Sequence, residues 1–130
     1  MNPLENLMLA IEWGPVLIST LIAFIIGWAW YSQILFVRPW MNGLPKPPVW
    51  QAPMWMPMLA QLGATLFLAI IVNMSYQDGH VGHSVLVALT IMGFIKANGM
   101  YSGKNKMAIS IEVLYILVMV LVMIGVNVLL

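Results

Sequence analysis

Apolar residues run along this chain in four long stretches, and polar residues collect between them. The stretches cover about 15–36, 54–76, 82–100 and 107–130, each close to the roughly 20 residues an α-helix needs to cross a hydrocarbon core. None alternates apolar and polar positions as a membrane-barrel strand does. Each backbone amide must then find its partner inside its own segment, which a helix allows. The pattern predicts an all-α fold: a polytopic membrane protein with four transmembrane helices in an up-down bundle, forming one domain over residues 1–130.

The breakers divide the spans. Pro39, Pro45, Pro47, Pro48, Pro53 and Pro57, with Gly43 among them, fill the first connection and predict extended or turn geometry there. The second connection, Gln77 to Val81, and the third, Ser102 to Lys106, are short, so helices two, three and four are expected to be antiparallel neighbours. A run from Leu4 to Phe36 is too long for one straight span. Leu4 to Trp13 therefore reads as a separate amphipathic segment on the outer leaflet, with Gly14-Pro15 opening the first span. A first span starting before Pro15 would instead bury Glu12 at the outer interface. The first nine residues carry Glu5 and no Lys or Arg, unlike the positive start of a cleaved signal, so the first span reads as permanent.

Charge orients the thread. All 5 basic residues, Arg38, Lys46, Lys96, Lys104 and Lys106, fall on one side of the up-down path. Glu5, Glu12, Asp78, His80 and His83 fall on the other. The positive-inside rule puts the first and third connections in the cytoplasm and both termini on the outer side of a cytoplasmic membrane. Trp28, Trp30, Tyr31, Trp40, Trp50 and Trp55 then form an interfacial aromatic belt. Only 7% of residues are charged, against about 25% in soluble domains, so the expected partner over most of the surface is the lipid bilayer. Five confined cations are too few to track nucleic acid. The chain has no cysteine, which excludes disulfides, thiolate metal sites and Cys nucleophiles.

Small and polar residues recur at spacing four: Ser19, Ala23 and Gly27 in the first span, and Gln61, Thr65, Ala69 and Asn73 in the second. That spacing keeps them on one helix face, where close packing and interhelical hydrogen bonds are expected. Thr90, Gly93, Lys96 and Ala97 lie in the third span, Ala108, Glu112 and Tyr115 in the fourth. Lys96 and Glu112 are the candidate intramembrane ion pair, with Asn98 or Tyr115 beside it, because a lone charge in lipid is costly. The alternative has Lys96 snorkelling to the headgroups and Glu112 anchoring at the interface. Gln61, Thr65, Asn73, Asn98 and Tyr115 are the candidate polar lining of a path. Met54, Met56 and Met58 alternate near one interface, and His80 and His83 stand three apart. The first group reads as gap-filling thioethers and the second as solvated loop imidazoles. No metal, cofactor or catalytic residue is implied.

The stretch Gly27-Trp28-Ala29-Trp30-Tyr31-Ser32, followed by Phe36 and Trp40, resembles the signature of a bacterial membrane family, domain of unknown function 1761. Gly93-Phe94, Asn98 and Gly103 resemble its later pattern. The resemblance implies a four-helix protein of the bacterial inner membrane and implies no activity. Two functional expectations follow. One is a non-catalytic accessory subunit or homo-oligomeric helix-packing module, associated with itself or a larger membrane complex. The other is a proton-coupled transporter of small molecules using Glu112 or Glu12, a weaker likeness to small multidrug transporters, whose aromatic pattern differs.

Overall fold

The computed structural model describes residues 2–32, 35–44 and 55–130, and every regular element among them is a helix. Four are long and apolar enough to cross a bilayer: α2 (Trp13–Trp30), α4 (Trp55–Gln77), α5 (Val81–Tyr101) and α6 (Lys106–Leu129). Two short helices accompany them, α1 (Pro3–Ala10) before the first span and α3 (Val37–Asn42) in the first connection. The chain is an all-α polytopic membrane protein whose spans run up and down through the bundle.

The N-terminal segment is a helix of its own for local reasons. Asn2 caps it, its Oδ1 accepting the Glu5 amide at 2.8 Å, and Pro3 occupies the first helical position, where a missing N–H is harmless. Ile11 and Glu12 are extended and break the run. Pro15 then sits in the first turn of α2.

At its other end α2 stops at Trp30, short of the expected Phe36. The chain turns back so that the Phe36 amide donates to the Trp30 carbonyl at 3.2 Å, and the Trp30 and Phe36 rings lie 4.7 Å apart. Aromatic packing outweighs helix propagation here. The prolines predict a first connection that is not helical throughout, and its described part contains one short helix, α3. Pro39 is the third residue of that helix, within the first turn, where no backbone donor is needed. Pro45 to Pro53, with Lys46, Trp50 and Met54, lie outside the described residues.

The α4–α5 and α5–α6 connections end their first helix in the same way. Gly79 and Gly103 have φ of 75° and 82°, the left-handed region that favours glycine. The His80 amide bonds back to Ser75 at 2.9 Å and the Lys104 amide to Gly99 at 2.9 Å, closing two Schellman caps. The second cap fixes Lys104 immediately after α5.

Helices α4 and α6 pack on each other and on both flanking helices, while α2 and α5 lie on opposite sides of that pair. The core joins Val16 and Ala23 of α2, Leu68, Ala69 and Val72 of α4, Ala88 of α5, and Tyr115, Met119, Val120 and Met123 of α6. Ser19, Ala23, Thr65, Ala69 and Asn73, all at spacing four, are buried. Elsewhere the spans present large apolar side chains outward, among them Leu21, Phe67, Leu86 and Phe94. That is the arrangement expected when hydrocarbon is the solvent. The bundle thus has a terminal end, with Glu12, Asn73 and Asn127, and a lysine end, with Trp40, Lys104 and Glu112.

Candidate functional site

The lysine end gathers the densest set of polar and aromatic contacts. Glu112 lies on α6 near its start, mostly buried. The Lys104 ammonium sits 2.8 Å from its Oε2 and 3.1 Å from its Oε1. The Trp40 indole of α3 donates to the same Oε2 at 2.7 Å. One carboxylate therefore ties the α5–α6 turn, α3 and α6 together by charge-assisted hydrogen bonds. The backbone closes the same seam. The Asn105 amide donates to the Gly43 carbonyl at 2.9 Å, and Asn105 Oδ1 caps α6 at the Ala108 amide, also at 2.9 Å. A side chain at Gly43 would overlap Asn105 and Ala108.

One turn beyond Glu112, the Tyr115 phenol crosses the bundle. Its hydroxyl donates to the Ala23 carbonyl at 3.2 Å and accepts from Gln61 Nε2 at 3.3 Å. A Cβ on Gly27 would overlap that hydroxyl, so glycine is the residue that admits it. The Tyr31 ring stands edge-on to both Tyr115 and Trp40, with centroids 5.8 and 5.1 Å apart. Trp30 lies 6.1 Å from Tyr115, and its indole donates to the Ile111 carbonyl at 2.9 Å. Beside this cluster is a cavity of about 300 Å³ between α4, α5 and α6. Gln61, Thr65, Glu112, Tyr31 and Tyr115 supply its polar groups, and Leu68, Ile91 and Met119 belong to its apolar wall.

A second network closes the terminal end. Asn73, fully buried, accepts the Glu12 amide at 3.0 Å through Oδ1 and donates through Nδ2 to Asn127 Oδ1 at 2.7 Å and Glu12 Oε1 at 3.3 Å. Gln77, one turn further along α4, donates to Asn73 Oδ1 at 2.6 Å and to the Ala10 carbonyl at 2.9 Å. The break between α1 and α2 is thereby pinned to α4 and α6.

The aromatic stretch at the end of α2 holds that helix to its neighbours. Gly27 admits Tyr115, Trp30 bonds α6, and Tyr31 bridges Tyr115 and Trp40. A family model described as "Protein of unknown function (DUF1761)" matches residues 15–128. The chain belongs to this family. No curated protein and no solved structure matches it. In this DUF1761 chain, Gly27, Trp30 and Tyr31 of that stretch are the residues that hold α2 against α6. Trp28 is the exception in that stretch; it is 71% exposed and points away from the bundle.

The expected site residues separate into several places. Gln61, Thr65 and Tyr115 line the cavity with Glu112, whereas Asn73 belongs to the terminal network, about 18 Å along α4 from Gln61 at 1.5 Å per residue. Asn98 is exposed on α5 and does not line the cavity. Glu112 is paired with Lys104, and Lys96 is exposed on α5. The physical reason lies in the α5 cap: it delivers Lys104 to the start of α6, while Lys96 is one and a half turns back along α5. Gly103 was the sequence signal for that cap. Gln77, missed in the sequence, extends the 61-65-69-73 series by one more step of four. The Trp40–Glu112 bond, spanning 72 residues, had no local signal. The His80 and His83 rings stack 5.1 Å apart and both residues are exposed. Among the described residues no three His, Cys, Asp or Glu side chains gather in metal-binding proximity.

Proposed function

We propose that this chain is a non-catalytic protein of the bacterial inner membrane, with both termini on the outer side, that works by associating with further copies of itself through α5. The observation that carries this reading is the face of α5 turned away from the bundle. At 100° per residue, Gly93 lies opposite the buried Ser84, Ala88 and Gly99, with Gly82, Leu86, Thr90 and Ala97 around it. A Cβ added at Gly82 or Gly93 would meet nothing within 4 Å. Gly93-x-x-x-Ala97 is the small-residue spacing that lets two membrane helices approach closely. The inward Asn73, Asn127, Glu112 and Tyr115, by contrast, are engaged in holding this bundle together.

The absence of cysteine makes the test clean. Ala97→Cys in native membranes should give an oxidant-dependent dimer, and Phe67→Cys on the outward face of α4 should not. A chain that is monomeric in mild detergent, with no cross-link at Ala97 or Gly93, would overturn the reading. A carboxyl-terminal reporter active inside the cell would overturn the orientation.

The cavity favours a second reading, coupled transport of a small molecule past Gln61, Tyr115 and Glu112. On it, Glu112→Gln abolishes pH-driven uptake into vesicles. The Lys104 and Trp40 contacts weigh against it, since both carboxylate oxygens are already engaged in bonds that tie α3 and the α5–α6 turn to α6.

A further inference from the structure

A groove of about 590 Å³ opens between α5 and α6 at the lysine end, distinct from the cavity beside Tyr115. Its lining is Lys96 and Met100 of α5, Lys104 of the turn, and Lys106, Ile109, Ser110 and Val113 of α6. The helices touch closely beneath it: a Cβ on Gly99 would press on the Ile109 side chain. Lys104 already has Glu112 as a partner. Lys96 and Lys106 are exposed, and among the described residues neither makes an ion pair, so two uncompensated cations face one groove.

We infer that this groove binds the phosphate headgroup of an anionic glycerophospholipid, with the attached acyl chain lying along Ile109 and Val113. Three features select that ligand. The charges stand at the end of the spans, where headgroups lie, and long lysine stems reach that depth from within the helix. A basic pocket between membrane helices is the setting in which anionic headgroups are held. The wall below is apolar and extends inward, Val113 lying about 10 Å along α6 from Lys106, so it matches a chain as well as an anion. Ser110 supplies a hydroxyl that a phosphate oxygen can accept from.

Lipid binding by the full-length chain in a mild non-ionic detergent tests the inference, followed by native mass spectrometry with added phosphatidylglycerol, phosphatidylcholine or inorganic phosphate. Phosphatidylglycerol should bind some thirtyfold tighter than phosphatidylcholine, about fivefold for each free lysine. Lys96→Gln combined with Lys106→Gln should remove that preference, whereas Arg38→Gln, an exposed cation on α3, should keep it. Both lysines are exposed, so the double variant should unfold at the wild-type temperature without lipid. Equal binding of the two lipids, or a preference surviving in the double variant, would overturn the assignment. Displacement of phosphatidylglycerol by millimolar inorganic phosphate would show a free-anion site and would also overturn it.

Discussion

The hydroxyl of Tyr115 occupies the space in which a side chain at Gly27 would stand. That relation between α6 and α2 sets how closely the two helices approach, and the Ala23 carbonyl and Gln61 amide then satisfy the hydroxyl. Gly27→Ala is expected to destabilise the protein by about 1–3 kcal/mol, the usual cost of overpacking. Tyr115→Phe removes the overlapping oxygen, so the double variant should lose less than the sum of the two single losses. Thermal unfolding in detergent, read as a double-mutant cycle, checks this; strict additivity would contradict the contact.

Lys104 and Lys96 should respond differently to the same change. Lys104→Gln leaves a mostly buried carboxylate with the Trp40 indole as its remaining donor and should cost about 1–2 kcal/mol, between the values for exposed and buried pairs. Lys96→Gln should stay within about 0.5 kcal/mol of wild type. Equal losses in unfolding experiments would place the ion pair elsewhere.

Trp40→Phe keeps most of the ring but removes the N–H that Glu112 accepts. A loss of about 1.5–3 kcal/mol is expected for a bond to a charged group. Substituting Trp28, which points outward, should cost far less. The comparison of the two midpoints decides it.

At the terminal end, Asn73→Leu leaves Gln77, Asn127 and the Glu12 amide without a shared partner. About 1–3 kcal/mol should be lost, at roughly 0.6 kcal/mol or more for each interhelical bond. The effect should also be local: amides around Ile11 and Glu12 should exchange hydrogen faster, because the pin that holds the α1–α2 break is gone. Unchanged exchange there would contradict the network.

Gly79→Ala and Gly103→Ala should each cost about 1–2 kcal/mol, because both positions have left-handed backbone that a Cβ disfavours. The Gly103 change should additionally disturb Lys104 and hence Glu112. A Gly103→Ala, Lys104→Gln pair is therefore expected to be less than additive, whereas Gly79→Ala with Lys104→Gln should be additive.

The spans could be read from the chain to within a residue or two for α4, α5 and α6, because length and apolarity are properties of consecutive residues and lipid selects on both. The separation of α1 from α2 was also legible, since Gly14-Pro15 and the excess length act locally. The buried stripe Thr65, Ala69 and Asn73 followed from helical period alone, while Gln61, the first of the series, is exposed and meets Tyr115. Two local features misled. The first span read as helical to Phe36, but α2 stops at Trp30 and the Phe36 ring packs on Trp30, and Pro39 looked like a breaker but sits in a first turn.

Membrane character, the four spans and the gathering of Arg38, Lys96, Lys104 and Lys106 at one end were thus written in linear order, since each depends on neighbours along the chain. Why residue 27 lacks a side chain and how Trp40 reaches α6 depend on contacts between segments up to 92 residues apart. Those are set by how α4 and α6 pair at the centre and α2 and α5 flank them. Helical period says which face turns inward; it carries no information on which neighbour that face will meet, and packing of the whole bundle supplies it.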